Sequence, residues 1–397
     1  MGKRVVHIVL RDYIDSYSYQ ENLLSQKHRE MGFDVAVITS QLFRNKDKQK
    51  SFHEVGNFIN DYGIKVYVLP CKAKDNFQSI FYDQAYGLYQ TLEEYHPDII
   101  FMHNFAYNDV RHVVRYAKAN MHVRVYADCH TDYYNSAYNT LYGRLKALFA
   151  RRQGHKLNKV AIRFWGTTPW RVDFLKNVYK LPPDKVDLLI MGADEMWIEN
   201  INRQEVRMNI RKQYQIPSSA FLVITGGKLD IRKQQHLLME AVCQLEKENI
   251  WLIVFGTPTE EMKDIVSHYK GIRNIIMAGW KKAEETYSLF MASDLAFFPG
   301  THSVLWEEAV ACSTPIVVKH WSGMEHVNVD GNALLLDDVR VGTITETLKS
   351  LNRTQKYNAM LAKAERCASS FYLRDIALKA IGEDKHISTT GIENETI

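Results

Sequence analysis

Three short stretches carry residues whose types and spacing could do chemistry. In TGGKLDIRKQQ, Gly226 and Gly227 stand where a strand ends, with Lys228, Arg232 and Lys233 gathered around them. A glycine pair lets the backbone turn sharply and approach a ligand, and cations beside it are placed to hold a phosphate or diphosphate. On charge alone, a solvated basic loop capping a helix accounts for the stretch as well. In YADCHTDYYNSA, Asp128, His130 and Asp132 follow another strand; a histidine there is either a satisfied structural residue or a functional one. In GTHSVLWEEAVACSTP, Glu307 and Glu308 stand side by side in an apolar, helix-like run. Neighbours on a helix point about 100° apart, so the two carboxylates have separate tasks.

Other chemistries lack their residues. The sequence contains no G-x-G-x-x-G, no G-x-x-x-x-G-K-[ST] and no pair of aspartates two apart. The dinucleotide fingerprint, the P-loop and the D-x-D metal clamp of many sugar-nucleotide enzymes are therefore missing, and no metal site is expected. The seven tryptophans and 22 tyrosines are scattered, and the net charge is only +4, so nucleic acid is not an expected partner. Five cysteines (Cys71, Cys129, Cys243, Cys312, Cys367) form no C-x-x-C pair, which suits reduced thiols in a cytoplasm.

The elements that must position these residues are short apolar runs alternating with helical patterns. RVVHIVL, DVAVIT, KVYVLP, DIIFMH, VRVYAD and VDLLIM come in the first half; FLVITGG, IWLIVFG, RNIIMAG, DLAFFPG and PIVVKH follow in the second. Near-continuous apolar strands imply parallel sheets covered on both faces. At 397 residues the chain is long for one core, and two doubly wound α/β domains are expected. The boundary is read just after MGADEMW (Met191 to Trp197). Open parallel sheets bind ligands beyond the carboxyl ends of their strands, so an active site is expected in a cleft between the domains. TGGKLDIRKQQHLLMEAV is expected to open a long amphipathic helix. No apolar run approaches the roughly 18–20 residues of a membrane span, and the polar stretch from Asp384 onward reads as a flexible tail.

From Gly279 the order GWKKAEETYSLFMASDLAFFPGTHSVLWEEAVACSTPIVVKH resembles the retaining glycosyltransferase family 4, also called glycosyl transferases group 1, whose fold is GT-B. The resemblance is strong from about Phe221 to Leu336 and diffuse before that. The family's G-R-L-x-x-x-K-G segment, which holds the donor diphosphate, is matched by Gly227, Lys228, Leu229 and Lys233, with lysine for arginine and Gln234 for the last glycine. Lysine keeps the charge and loses the bidentate fork. The E-A-M-A-x-G-x-P end of its E-x7-E motif is matched by Glu308, Ala309, Ala311 and Pro315, with Ser313 for the glycine. Glu308 thereby takes the place of the carboxylate that holds the ribose hydroxyls, and Glu307 is expected in solvent or in a surface pair. The first glutamate is replaced by Gly300, leaving His302, or the backbone of the loop with Ser303 and Val304, to contact the donor. Gly279 and Trp280 complete the implied donor-binding set. His130 matches the family's histidine that faces the donor sugar, and MGAD sits where the family has G-V-D at its hinge. The small Gly-rich turn after the first strand is absent.

The resemblance implies an N-terminal acceptor-binding domain (1–197), a C-terminal nucleotide-sugar-binding domain (198–370), a helix crossing back (371–383) and the tail (384–397). It implies a retaining, metal-independent transfer from a nucleotide-diphosphate sugar, UDP- or GDP-linked, to a glycan or lipid-linked acceptor. His130, Lys228 and Lys233 are the implied catalytic groups, and bacterial surface-polysaccharide assembly is the implied setting. An epimerase or phosphorylase on the same architecture, or a non-catalytic sugar-nucleotide binder, stays open. From Tyr142 to Gly166 there are seven Lys or Arg residues and no acid, which suits either a solvated helix face or contact with an anionic membrane surface. A cytoplasmic protein, peripheral on the inner face of the cell membrane, is the expectation.

Overall fold

The computed structural model describes residues 2–15, 20–44, 49–71 and 82–383; the tail from Asp384 lies outside them. Contacts divide the chain between Ile190 and Met191, and again between Leu373 and Arg374. The first unit contains β1 (Arg4–Val9), β2 (Asp34–Ser40), β3 (Leu42–Arg44), β4 (Lys50–Phe52), β5 (Gly56–Ile59), β6 (Lys65–Leu69), β7 (Ile99–His103), β8 (Arg124–Cys129), β9 (Ala161–Gly166) and β10 (Val186–Leu188). Among the described residues, eight of these form one sheet in the order β10-β9-β8-β7-β1-β2-β6-β5. All neighbours in it are parallel except β5 with β6. β3 and β4 pair separately. In β1, β2, β7 and β8 every residue after the first is buried, as expected of strands covered by helices on both faces.

The second unit holds β11 (Phe221–Gly226), β12 (Ile250–Phe255), β13 (Ile275–Gly279), β14 (Leu295–Phe298), β15 (Ile316–Lys319) and β16 (Ala333–Leu336). They form a parallel sheet in the order β13-β12-β11-β14-β15-β16. In each sheet one strand has neighbours leading away in opposite directions: β1 between β2 and β7, and β11 between β12 and β14. Crevices at the carboxyl ends of such strands are where open α/β sheets bind ligands.

Three expectations change. Met191–Trp197, read with the first domain, packs with the second, because Ala193 N–H donates to Phe371 O at 3.0 Å and Leu373 N–H to Ala193 O at 2.9 Å. TGGKLDIRK does not open a long helix: a 3-10 turn at Ile231–Lys233 precedes a nine-residue helix, Gln235–Cys243. Gln234 between them has φ 54°, which a continuous right-handed helix does not allow. The basic stretch from Tyr142 is two elements, the helix Leu141–Leu157 and β9.

Candidate active site

The residues expected to hold a donor gather at the carboxyl ends of the second sheet. Strands β11, β12 and β13 run out into glycines whose backbones interlock. Gly227 N–H donates to Phe255 O at 3.1 Å, and Gly256 N–H donates to Gly279 O at 2.8 Å. Gly227 and Gly256 have φ of 96° and 120°, and a Cβ on Gly256 would collide with the Gly227 carbonyl. Bare backbone therefore lines this edge. Trp280, just past it, leaves its indole 67% exposed.

Asp230 builds the turn that sorts the cations. Its carboxylate accepts from Arg232 N–H at 3.0 Å and from the Arg232 guanidinium at 2.9 Å, which caps the 3-10 turn. Lys228 stays exposed with its ammonium 3.8 Å from Asp230. Lys233 turns inward and donates to Thr301 O at 2.9 Å and His302 O at 2.7 Å. Burial pushes the Lys233 ammonium down to about 8. An ammonium has three N–H donors, so one remains beyond the two loop carbonyls. The two lysines that the sequence treated alike thus differ: one is an exposed cation loosely paired with Asp230 and the other ties down the Gly300 loop.

Gly300 has no room for a side chain, since a Cβ would collide with Arg232 O and the Lys233 backbone. Thr301 N–H donates to Arg232 O at 3.2 Å in the same contact. The close approach of the two loops leaves no space for a side chain at the position where the resemblance expects a glutamate. His302, Ser303 and Val304 then lead into the helix Leu305–Ala311, where Val304 O accepts from Glu308 N–H and Ser303 O from Trp306 N–H, both at 3.0 Å.

The expectation for Glu307 is wrong. Its side chain is fully buried, and Oε1 accepts from His302 Nε2 at 2.9 Å and His326 Nε2 at 2.8 Å. Burial opposes its charge, but His302 and then His326 outweigh that and pull it down to about 2. Its helical direction leads into the protein, and His326, supplied from beyond β15, closes over it. Glu308 is half-buried, and its carboxylate has no hydrogen-bond partner among the described residues. Burial, followed by the neighbouring Glu307 charge, raises it to about 8. His326 was missed by sequence reasoning; its only trace is one more histidine in KHWSGMEHV.

Among the described residues, His302, Glu307 and His326 are the one group whose donor atoms lie close enough to share a metal ion. Both imidazole nitrogens already stand at hydrogen-bond distance from one carboxylate oxygen. His326 Nδ1 is buried with no partner, whereas a metal-bound imidazole ordinarily donates its second N–H to an acceptor. The trio fits hydrogen bonding better than metal binding.

In the first unit, His130 lies just past β8 with its side chain 36% exposed and Nε2 3.4 Å from Asp128 Oδ2. That is an ion-pair approach and not an aligned hydrogen bond. Burial opposes its cation, yet Asp128 outweighs it and raises His130 above the ordinary imidazole value. Asp132 serves the loop: it accepts from Tyr134 N–H at 3.0 Å and Asn135 N–H at 2.9 Å and pairs with Arg171 at 3.3 Å.

Two doubly wound α/β units with these strand orders make up the GT-B fold. Residues 206–367 match the family described as glycosyl transferases group 1. The chain is 22% identical over 224 residues to a D-inositol 3-phosphate glycosyltransferase of Arthrobacter sp. (strain FB24), covering 51% of this chain and 50% of that protein. It thus spans about half the length of that relative. Anabaena HepE, solved with UDP and glucose, superposes with a TM-score of 0.65 at 15% identity, over 94% of this chain and 97% of that one. WaaG, a glycosyltransferase of lipopolysaccharide biosynthesis, gives 0.64 at 16% identity over 98% and 100%. No described helix is long and apolar enough to cross a membrane.

Proposed function

We propose that this protein is a glycosyltransferase that moves a sugar from a nucleotide-diphosphate donor to a glycan or lipid-linked acceptor, with retention and without a metal. The observation that carries the reading is Glu308, a half-buried carboxylate with no side-chain hydrogen bond, beside Glu307, whose Oε1 is taken by two imidazoles. A pair of ribose hydroxyls supplies the donors it lacks. Lys228 and the remaining N–H of Lys233 answer the diphosphate and stabilise it as it leaves, the glycine edge admits it closely, and Trp280 offers a ring for the base. His130 is the candidate group for the sugar.

A cavity of about 280 Å³ in the first unit supports an anionic, amphiphilic acceptor. Arg11, Arg44 and Lys146 line it together with Tyr107, Phe174 and Tyr179; Arg44 is paired with Asp12, also in the lining, at 2.8 Å, and one guanidinium nitrogen of Arg11 is buried without a partner. The helix Leu141–Leu157 contributes Lys146 to that lining and exposes Leu141, Tyr142, Leu145 and Leu148, which suits a membrane-surface acceptor in bacterial polysaccharide assembly. The WaaG likeness agrees with that setting.

Nucleotide release from a panel of UDP- and GDP-sugars in chelator tests the reading. Turnover should persist, and Lys228→Ala should cut it roughly 10²–10³-fold with unchanged thermal stability. Turnover that vanishes in chelator and returns with Mn²⁺ removes the metal-free mechanism; a Lys228→Ala protein of normal rate moves the diphosphate elsewhere. A second reading, a donor-binding protein without turnover, is favoured by the impossibility of a side chain at Gly300, and calorimetric binding with no nucleotide release would establish it.

A further inference from the structure

Three buried histidines stand in series in the first unit, on residues that take no part in donor binding as proposed above. His28, on the helix Gln20–Glu30, places Nε2 2.7 Å from Ala377 O. Its Nδ1 is 3.0 Å from His7 Nε2, on β1. His7 Nδ1 is 2.9 Å from His103 Nε2, at the end of β7. His103 Nδ1 is 2.8 Å from Asp128 Oδ2, on the next strand, and that carboxylate faces His130. The other Asp128 oxygen accepts from Asn104 N–H at 3.1 Å. His7, His28 and Asp128 are fully buried, and His103 is nearly so.

The protons can be counted. Four contacts link a carbonyl, three imidazoles and a carboxylate, and each needs one proton. Three neutral imidazoles bring only three. The carbonyl at one end can only accept, and an ionised carboxylate at the other does the same. A fourth proton must therefore reside in the chain, as an imidazolium facing Asp128 or as a proton on Asp128 itself. Burial, together with the neighbouring imidazoles, holds His7 below the ordinary range, and burial takes His28 down to about 4. The extra proton accordingly rests at the Asp128 end, where it offsets a carboxylate that burial disfavours but His103 and His130 keep ionised.

We propose that His28, His7, His103 and Asp128 form one hydrogen-bonded relay whose fourth proton sets the charge and orientation of the groups facing His130, making His7, His28 and His103 positioning residues for His130. The relay runs across three adjacent strands, β1, β7 and β8, and ends on Ala377 of the helix Leu373–Ala380. His130 is otherwise faced by Arg171 from the helix Pro169–Asn177 and Glu21 from the helix Gln20–Glu30, neither of which the relay touches. Any role of His130 in sugar transfer rests on the function proposed above; the relay does not.

His28 gives a clean test because it lies three hydrogen bonds from Asp128. In His28→Gln, the amide N–H can still donate to Ala377 O while its oxygen accepts from His7, so the chain keeps its direction and its fourth proton. In His28→Phe that acceptor is gone together with the contact to Ala377, two contacts remain, and the two protons of neutral His7 and His103 suffice. Asp128 then acts on His130 without an offsetting charge. In full-length protein labelled with ¹⁵N-histidine, the His130 titration midpoint should rise by about 1 unit in His28→Phe and stay put in His28→Gln. Equal midpoints, or equal displacement in both variants, overturn the relay. The wild-type spectrum gives a check that needs no variant: four slowly exchanging low-field imidazole or carboxyl protons support the relay, and three overturn it. Neither readout uses donor or acceptor. If the midpoint moves while the pH–rate profile of His28→Phe does not, the relay stands and His130 leaves the chemistry.

Discussion

At Glu307 and Glu308, carboxylates one residue apart are pushed in opposite directions, the first down to about 2 and the second up to about 8. The signs of their linkage differ accordingly. Glu307, with its folded value below 4.5, contributes stability that is present above pH 4.5 and is lost as pH falls toward about 2. Glu308 does the reverse: its charge costs stability increasingly as pH climbs from 4.5 to about 8. Glu307→Ala should therefore lose roughly 3–5 kcal/mol in denaturant unfolding at neutral pH, because it strands two buried imidazole donors. Glu308→Gln without donor should melt above wild type at pH values beyond 8 and alongside it at pH 4.5, while donor affinity falls about tenfold or more. Equal losses of donor affinity in Glu307→Gln and Glu308→Gln would overturn the site assignment. The sequence identified Glu308 by its place in EAVACSTP, but nothing local could reveal that His326, 19 residues on, covers its neighbour. Burial of a particular carboxylate is a tertiary fact.

Among the elements, the parallel strands were legible because burial on both faces writes itself as unbroken apolar runs. β9 was not, since AIRFWG carries Arg163 and a 43% exposed Ile162, and it was absorbed into the basic stretch before it. β5 is exposed along its whole length and has no such signature. The helix Leu141–Leu157 shows what that basic stretch presents: Leu141, Tyr142, Leu145 and Leu148 at helical spacing on the outside, with Arg144, Lys146 and Arg152 exposed among them. Such a face should hold the protein to anionic vesicles, each Lys or Arg near the surface contributing about 1 kcal/mol. Arg151→Glu with Arg152→Glu, or Leu145→Asp alone, should release it in a sedimentation assay, and salt should weaken the wild type. Pelleting that ignores lipid charge and salt would remove the membrane from the acceptor proposal.

For the molecule as a whole, the first unit is not continuous in sequence. Ile376, Ala377, Ala380 and Ile381 are buried in it, Trp165 Nε1 donates to Ala380 O at 2.9 Å, and the relay ends on Ala377. A chain stopped after Leu373 should lose amide-exchange protection in β8 to β10 and keep it in β11 to β16. Each isoleucine removed from such burial costs about 1.5–3 kcal/mol, enough to lower that unit's melting by roughly 10 °C. Protection unchanged in the first sheet would show that the returning segment is dispensable. The same interruption governs the protein's birth. A ribosome adds roughly 5–20 residues per second, so the nascent first unit must wait on the order of ten seconds or more, while Met191–Leu373 is made, before its closing helix exists. During that interval the indole of Trp165 and the imidazole of His28 lack the carbonyls they bind in the finished protein, and a sheet complete in its strands but uncovered by its closing helix is the species that chaperones would meet.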